Sequence, residues 1–197
     1  MQLPSVMNHQ YGLVPRADIP RSSFNRSHGY KTTFDSGYLV PFYCDEALPG
    51  DTFTLKASLF ARLATPIVPI MDNMFLETFF FAVPIRLIWT NFKKFMGEQR
   101  DPADSTDYLV PIMTAPAGGV AAGSLHDYLG VPINIGNLQF TSLFHRAYNA
   151  IWNEWFRDQN LQDSVYTYTG DGPDAVNNYR LLRRNKRPDY FRWLVAR

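Results

Sequence analysis

The sequence predicts a mainly β protein with helical insertions, and three stretches carry that prediction. From Thr52 to Thr65, Phe53, Leu55, Ala57, Leu59, Ala61 and Leu63 alternate with Thr52, Thr54, Lys56, Ser58, Phe60 and Arg62. That is the period of two expected of a strand with one buried face. From Met74 to Val83 the run MFLETFFFAV is apolar on both strand faces except at Glu77 and Thr78, so a strand here needs cover on both sides. From about Thr141 to Asp158 the period changes: Phe144, Ala147, Tyr148, Ile151, Trp152 and Trp155 keep the spacing of one helical face. Strands first and helices later fit a β core bearing a helical insertion.

The remaining elements follow in chain order. Residues 1–29, rich in Pro, Asn, Ser and Arg, read as an extended arm, because Pro15 and Pro20 block regular laddering. A first strand is expected over Thr32–Asp45, with Leu48-Pro49-Gly50-Asp51 turning the chain into the alternating segment. On that segment Phe60 is the one apolar residue on the polar face, which calls for a hydrophobic partner. Residues 86–96 predict a short amphipathic helix stopped at Gly97, with Ile88, Phe92, Phe95 and Met96 on one side. Residues 101–123 are turn-rich, Ser124 starts a helix that Gly130 closes, and residues 164–178 form a polar loop. In the long helix, Arg146, Asn149, Asn153 and Arg157 are expected on the solvent side, and Trp152 and Trp155 in a core or interface. The whole reads as one domain: the arm at 1–29, strands at 30–85, a helical and loop insertion at 86–179, and a basic end at 180–197.

Composition sets the class. Of 197 residues, 46% are hydrophobic and 15% aromatic, enough for a sizeable core and for aromatic contact surfaces. Phe60, Phe79, Phe80 and Phe81 are candidates for a core or a subunit interface, since a Phe cluster left in water forfeits about 1.5–3 kcal/mol per side chain. The lone Cys44 cannot close an intramolecular disulfide and reads as a small buried residue. No apolar run approaches the ~20 residues of a membrane-spanning helix. The net charge of +1 conceals an asymmetry: residues 180–197 hold seven basic residues and one acid, or +6, against −5 for the rest.

Motifs for chemistry are missing. His9, His28, His126 and His145 are scattered without a second ligand at helical spacing, so structural roles are expected and no metal. Asp101, Asp104 and Asp107 lack the glycine and closing Glu of a calcium loop and suit turns, as do Asp171 and Asp174. There is no phosphate loop, dinucleotide fingerprint or serine elbow, so neither enzyme nor cofactor is expected. One cluster has a functional look: Arg180, Arg183, Arg184, Lys186 and Arg187, followed by Tyr190, Phe191 and Trp193. Such cations neutralise phosphates and such rings stack on unpaired bases, making these arginines and Lys186 candidate DNA contacts. A solvated surface run, or charges paired with acids on a neighbouring subunit, reads equally well from the residues alone.

Several segments resemble the major capsid protein of gokushoviruses, single-stranded-DNA phages of the Microviridae: VPRADIPRSSF from Val14, HGYKTTFDSGYLVPFYCDEALPGDTF from His28, FARLATPIVPIMDNMFLETFFFAVP from Phe60, FMGEQRDPADSTDYLVP from Phe95, RAYNAIWNEWFRDQNLQDSV from Arg146 and LLRRNKRPDYF from Leu181. The resemblance implies a viral jelly-roll β-sandwich, incomplete within these residues, whose copies build an icosahedral shell around the genome. It implies no catalytic site, a location in the virion and in host cytoplasm during assembly, and no membrane partner. The implied partners are further copies of the protein, packaged single-stranded DNA and minor virion proteins such as the DNA pilot protein. After Asp189-Tyr190-Phe191 the sequence departs from the family pattern into RWLVAR and stops, as a truncation or frame shift would. Exposed apolar surface around Phe79–Phe81 is therefore expected. The alternative is a β-rich nucleic-acid-binding module acting through the basic end.

Overall fold

The computed structural model describes residues 19–185, so the first part of the arm, Lys186, Arg187 and the aromatics after them lie outside the described residues. The chain divides after Lys31 into two units. In the first, residues 19–31 are exposed and without regular structure. The second, from Thr32 onward, holds every helix and strand described below.

The strands expected within 30–85 do not form: among the described residues, this stretch contributes only a single antiparallel bridge, Tyr38 to Arg183. The turn between them is present, with Asp51 N–H donating to the Leu48 carbonyl (3.1 Å) and Leu48 N–H to the Asp51 carboxylate (3.0 Å). A strand is stabilised by its neighbour's backbone, and residues 52–83 have no neighbouring strand among the described residues. Their apolar side chains stay in solvent accordingly, Phe60 at 92% exposure and Phe79, Phe80 and Phe81 at 38–50%. Exposed apolar surface around the Phe triplet is thus observed. The regular sheet is small: β1 (Ile112–Thr114) pairs antiparallel with β2 (Gln139–Thr141), Met113 facing Phe140.

The single helix expected over 86–96 is two turns, α1 (Ile85–Ile88) and α2 (Phe92–Phe95). Between them Trp89 adopts extended backbone (φ −146°, ψ 113°). A tertiary anchor overrides the helical period: the Trp89 indole N–H donates to the Asp171 carboxylate (2.7 Å), and the Asn91 amide donates to both its oxygens (2.9 and 2.8 Å). Thr90 N–H reaches the Thr169 carbonyl nearby (2.8 Å). Trp89 is buried by this, packing against Phe92, Phe95 and Tyr108.

Next along the chain, α3 (Leu125–Tyr128) starts and ends where the sequence placed it. The Ser124 hydroxyl accepts from Asp127 N–H, and Gly130 takes the left-handed conformation (φ +89°) that closes a helix. Two glycines before β2 are required by close backbone approach. A Cβ on Gly119 would stand 2.5 Å from the Ile135 nitrogen, and one on Gly136 2.1 Å from the Ala117 carbonyl oxygen.

The long helix is α4 (Leu143–Ile151), prolonged by a π-helical turn (Trp152–Phe156). Its orientation differs from the expected one. The buried residues are His145, Arg146, Asn149, Trp152 and Phe156, so the presumed solvent face of α4 points inward, and Trp155 is 64% exposed. Arg146 and the Asn149 amide nitrogen are buried because Asp174 and backbone carbonyls of other parts of the chain accept from them. The core lies around this face, in clusters centred on Met113, Leu125 and Tyr179, on Ala115, Val120 and Val131, and on Trp152, Phe156 and Leu182.

Candidate functional site

A buried ion pair lies within the second unit. The Arg146 guanidinium makes a two-pronged contact with Asp174, Nε to Oδ2 at 2.7 Å and Nη2 to Oδ1 at 2.6 Å, with both side chains essentially inaccessible. Its Nη1 donates to the carbonyls of Ile88 (3.0 Å) and Gly170 (2.7 Å), and its plane lies over the Tyr168 ring. The Tyr179 hydroxyl donates to Asp174 Oδ2 (2.7 Å). Burial opposes the charge on Asp174, but the bonds from Arg146 and Tyr179 outweigh it and hold the carboxyl below the usual carboxylate range. Burial, then the neighbouring Asp174, pushes the Tyr179 phenol up. This satisfied pair ties α1, α4 and the 170–179 loop together.

A second buried polar contact flanks it. His126 Nδ1 and His145 Nε2 are 2.9 Å apart, with exposures of 5% and 2%. One ring donates and the other accepts, which requires the accepting ring to be neutral, and the lowered pKa of each keeps both uncharged near pH 7. Desolvation lowers the pKa of His126. The same cause, then the neighbouring His126, lowers that of His145 to about 3 despite the opposing pull of Asp174. Phe140 and Tyr179 close the pocket around the rings. Among the described residues, no cluster of three or more His, Cys, Asp or Glu side chains could hold a metal, and no helix is long and apolar enough to cross a membrane. Cys44, read as buried, is exposed. Asp104 serves a turn, accepting from the N–H groups of Arg100 and Asp101.

The described part of the basic end, residues 180–185, runs back along the 37–39 segment. Leu39 N–H donates to the Leu182 carbonyl (3.0 Å), and Arg184 N–H to the Gly37 carbonyl (2.8 Å). Its cations have different surroundings. Arg184 pairs with Glu77 and lies over the Phe79 ring. Arg183 stacks on Tyr38 and donates to its hydroxyl (3.2 Å). Arg180 is exposed. Arg180 and Arg183 border one open groove of about 760 Å³, with Tyr38, Trp152, Tyr166 and Asn178 among the residues lining it.

Beside this segment the Phe cluster meets the π turn. Phe79 and Phe81 pack edge-on against Phe156 at 5.4 and 5.8 Å, Phe81 also against Trp155 at 5.9 Å, and Phe80 against Phe42 at 5.8 Å. Phe60 stands apart in solvent. Of the candidates named from sequence, the structure brings Arg184, Phe79, Phe81, Trp155 and, through the π turn, Trp152 into one region. Sequence reasoning missed Arg146, Asp174 and Asp171. An Arg in the middle of an aromatic helix was the available signal, but its carboxylate lies 28 residues away.

Comparison with known proteins places this geometry in context. Residues 12–194 match the family model of the capsid protein (F protein). The chain is 49% identical to Capsid protein VP1 of Bdellovibrio phage phiMH2K, over 97% of this chain and 36% of that protein. It is 47% identical to Capsid protein VP1 of Chlamydia phage 1, over 96% of this chain and 35% of that one. Capsid protein VP1 of Spiroplasma virus 4 is 34% identical, over 93% and 35% respectively. The chain thus spans about a third of the length of these curated relatives.

Proposed function

The chain belongs to the capsid protein (F protein) family, and from that premise we propose that it is a structural subunit of an icosahedral single-stranded-DNA phage shell. One observation carries the reading beyond the family match: residues 53–81 present a long series of apolar side chains to solvent, among them Phe60, Ile67, Met71 and Phe75. A surface of this size is stabilised by contact with further polypeptide. In the assembled shell the alternating segment joins a jelly-roll sheet, which accounts for a period of two that has no partner strand among the described residues. The site is the virion, with assembly in host cytoplasm. The partners are further capsid copies, the packaged DNA and minor proteins such as the pilot protein. The part is structural, and no catalytic step is assigned to it.

The test is to express the chain alone and together with Capsid protein VP1 of Bdellovibrio phage phiMH2K, then to examine both by sedimentation and electron microscopy. Shell-sized particles that contain the chain support the reading. A monodisperse monomer that stays out of VP1 particles overturns it, and if that monomer binds DNA it is a free-standing nucleic-acid module instead.

A further inference from the structure

We infer that the groove bordered by Arg180 and Arg183 is a subsite for single-stranded nucleic acid, in which these two guanidiniums take consecutive phosphates and Tyr166 takes a base. The inference rests on the capsid reading for its partner, and goes beyond it by separating the cations that contact the strand from one that does not. Arg184 pairs with Glu77 and lies over Phe79, so it ties the basic segment to the Phe cluster. Arg180 and Arg183 face no carboxylate in an ion pair among the described residues, and both open onto the same groove. Arg183 is held by stacking on Tyr38, a contact that orients a guanidinium without cancelling its charge.

The groove's other features suit a nucleotide strand. Its volume of about 760 Å³ lies within the range of about 300–1,000 Å³ usual for ligand clefts. It is open rather than enclosed, as a continuing strand requires. Tyr166 on its wall is more than half exposed, and its ring is backed by Tyr168 at 6.2 Å with an interplanar angle of 16°, a ready stacking platform. The floor is fixed from within. The Trp152 indole donates to the Arg183 carbonyl (3.0 Å), and the Asn149 amide donates to the carbonyls of Tyr166 (3.0 Å) and Asn178 (3.4 Å). One acid, Asp163, is also on the lining and sets a limit on how closely the strand approaches that end.

The experiment titrates the 197-residue chain against a fluorescent oligothymidylate across a series of salt concentrations. Oligothymidylate leaves stacking and phosphate contacts as the sources of affinity. Replacing Arg180→Ala and Arg183→Ala together should reduce the magnitude of the log–log salt slope by about 1.4, the counterion release of two single-strand phosphates. Tyr166→Ala should weaken binding about tenfold with the slope unchanged. Arg184→Ala should leave the slope as it is. These positions other than Arg184 lie at the surface, and circular dichroism confirms that each variant keeps its fold. The groove is ruled out if the double variant binds as the parent does, or if the loss follows Lys186→Ala and Arg187→Ala alone. It is also ruled out if polyglutamate displaces the oligonucleotide as readily as unlabelled oligothymidylate does, which would make the site an acidic-peptide groove. Particle formation is scored separately: assembly that persists without groove binding overturns this inference and leaves the capsid reading standing.

Discussion

Removing Arg146 would leave the Asp174 carboxylate buried and unpaired, and the cost of breaking such a pair is about 3–5 kcal/mol. Arg146→Ala should therefore abolish or strongly shift the cooperative denaturation transition followed by tryptophan fluorescence, whereas Arg184→Ala, at a partly exposed pair, should shift it by less than about 1 kcal/mol. The buried histidines make a different demand. Folding lowers the pKa of both, that of His145 to about 3, so the unfolded chain binds more protons below the ordinary histidine value near 6.5. The neutral pair's contribution is complete above that value and is lost progressively as the pH falls from it toward 3. Asp174, depressed in the fold, adds a loss of the same sign at lower pH, beginning below the ordinary carboxylate value. Denaturation midpoints measured between pH 8 and pH 5 should fall on the acid side by up to about 1.4 kcal/mol per pH unit for each histidine. His145→Gln should flatten that dependence, and an equally steep profile in the variant would assign the acid sensitivity elsewhere.

At the scale of elements, local signals were legible where the chain satisfies itself locally. Ser124 and Gly130 bracket α3 in sequence and in structure because an N-cap hydroxyl and a left-handed closing residue need no distant partner. Ser124→Ala should accordingly destabilise the unit by about 1 kcal/mol, read as a shift in denaturant midpoint with unchanged slope. The position of α4 was legible from its period, but its inward face was not. Hydrophobicity ranks Arg146 and Asn149 as surface residues, and only the carboxylate of Asp174 and the carbonyls of Tyr166 and Asn178 reverse that ranking. The break at Trp89 has the same origin, an anchor at Asp171 that lies 82 residues on. Asp171 and Asp174 read as turn residues because a turn is all their immediate neighbours reveal. The groove was half legible: the cations of 180–187 stood out in sequence, but their separation into an acid-paired Arg184 and an Arg180 and Arg183 without an ion pair among the described residues depends on Glu77 and Tyr38, which are remote along the chain. The alternation over 52–65 remains a pattern awaiting a partner. Hydrogen exchange tests that directly: in particles formed with VP1, amides of residues 52–65 should be protected at every second position or throughout, whereas in the isolated chain they should exchange freely.

For the whole molecule, the balance of buried and exposed apolar surface predicts its behaviour in solution. The helical half has three core clusters and a satisfied ion pair, so it has the contacts of a stable unit. The segment from 53 to 81 adds apolar side chains without comparable cover, and Phe60, Ile67 and Phe75 are each at least 85% exposed. Changing these three to Ser removes little native packing, so the denaturation midpoint of the helical half should stay within about 0.5 kcal/mol of the parent. Association should change far more, since each large apolar group buried between chains is worth about 1.5–3 kcal/mol. Sedimentation velocity of the parent chain should show concentration-dependent species above monomer, and Phe60→Ser, Ile67→Ser and Phe75→Ser combined should move the distribution toward monomer. The same triple variant should be depleted from VP1 particles. If it sediments and co-assembles as the parent does, the side chains at 60, 67 and 75 are not the surface through which this chain meets its neighbours, and the contact must be sought at the Phe79–Phe81 and Trp155 patch instead.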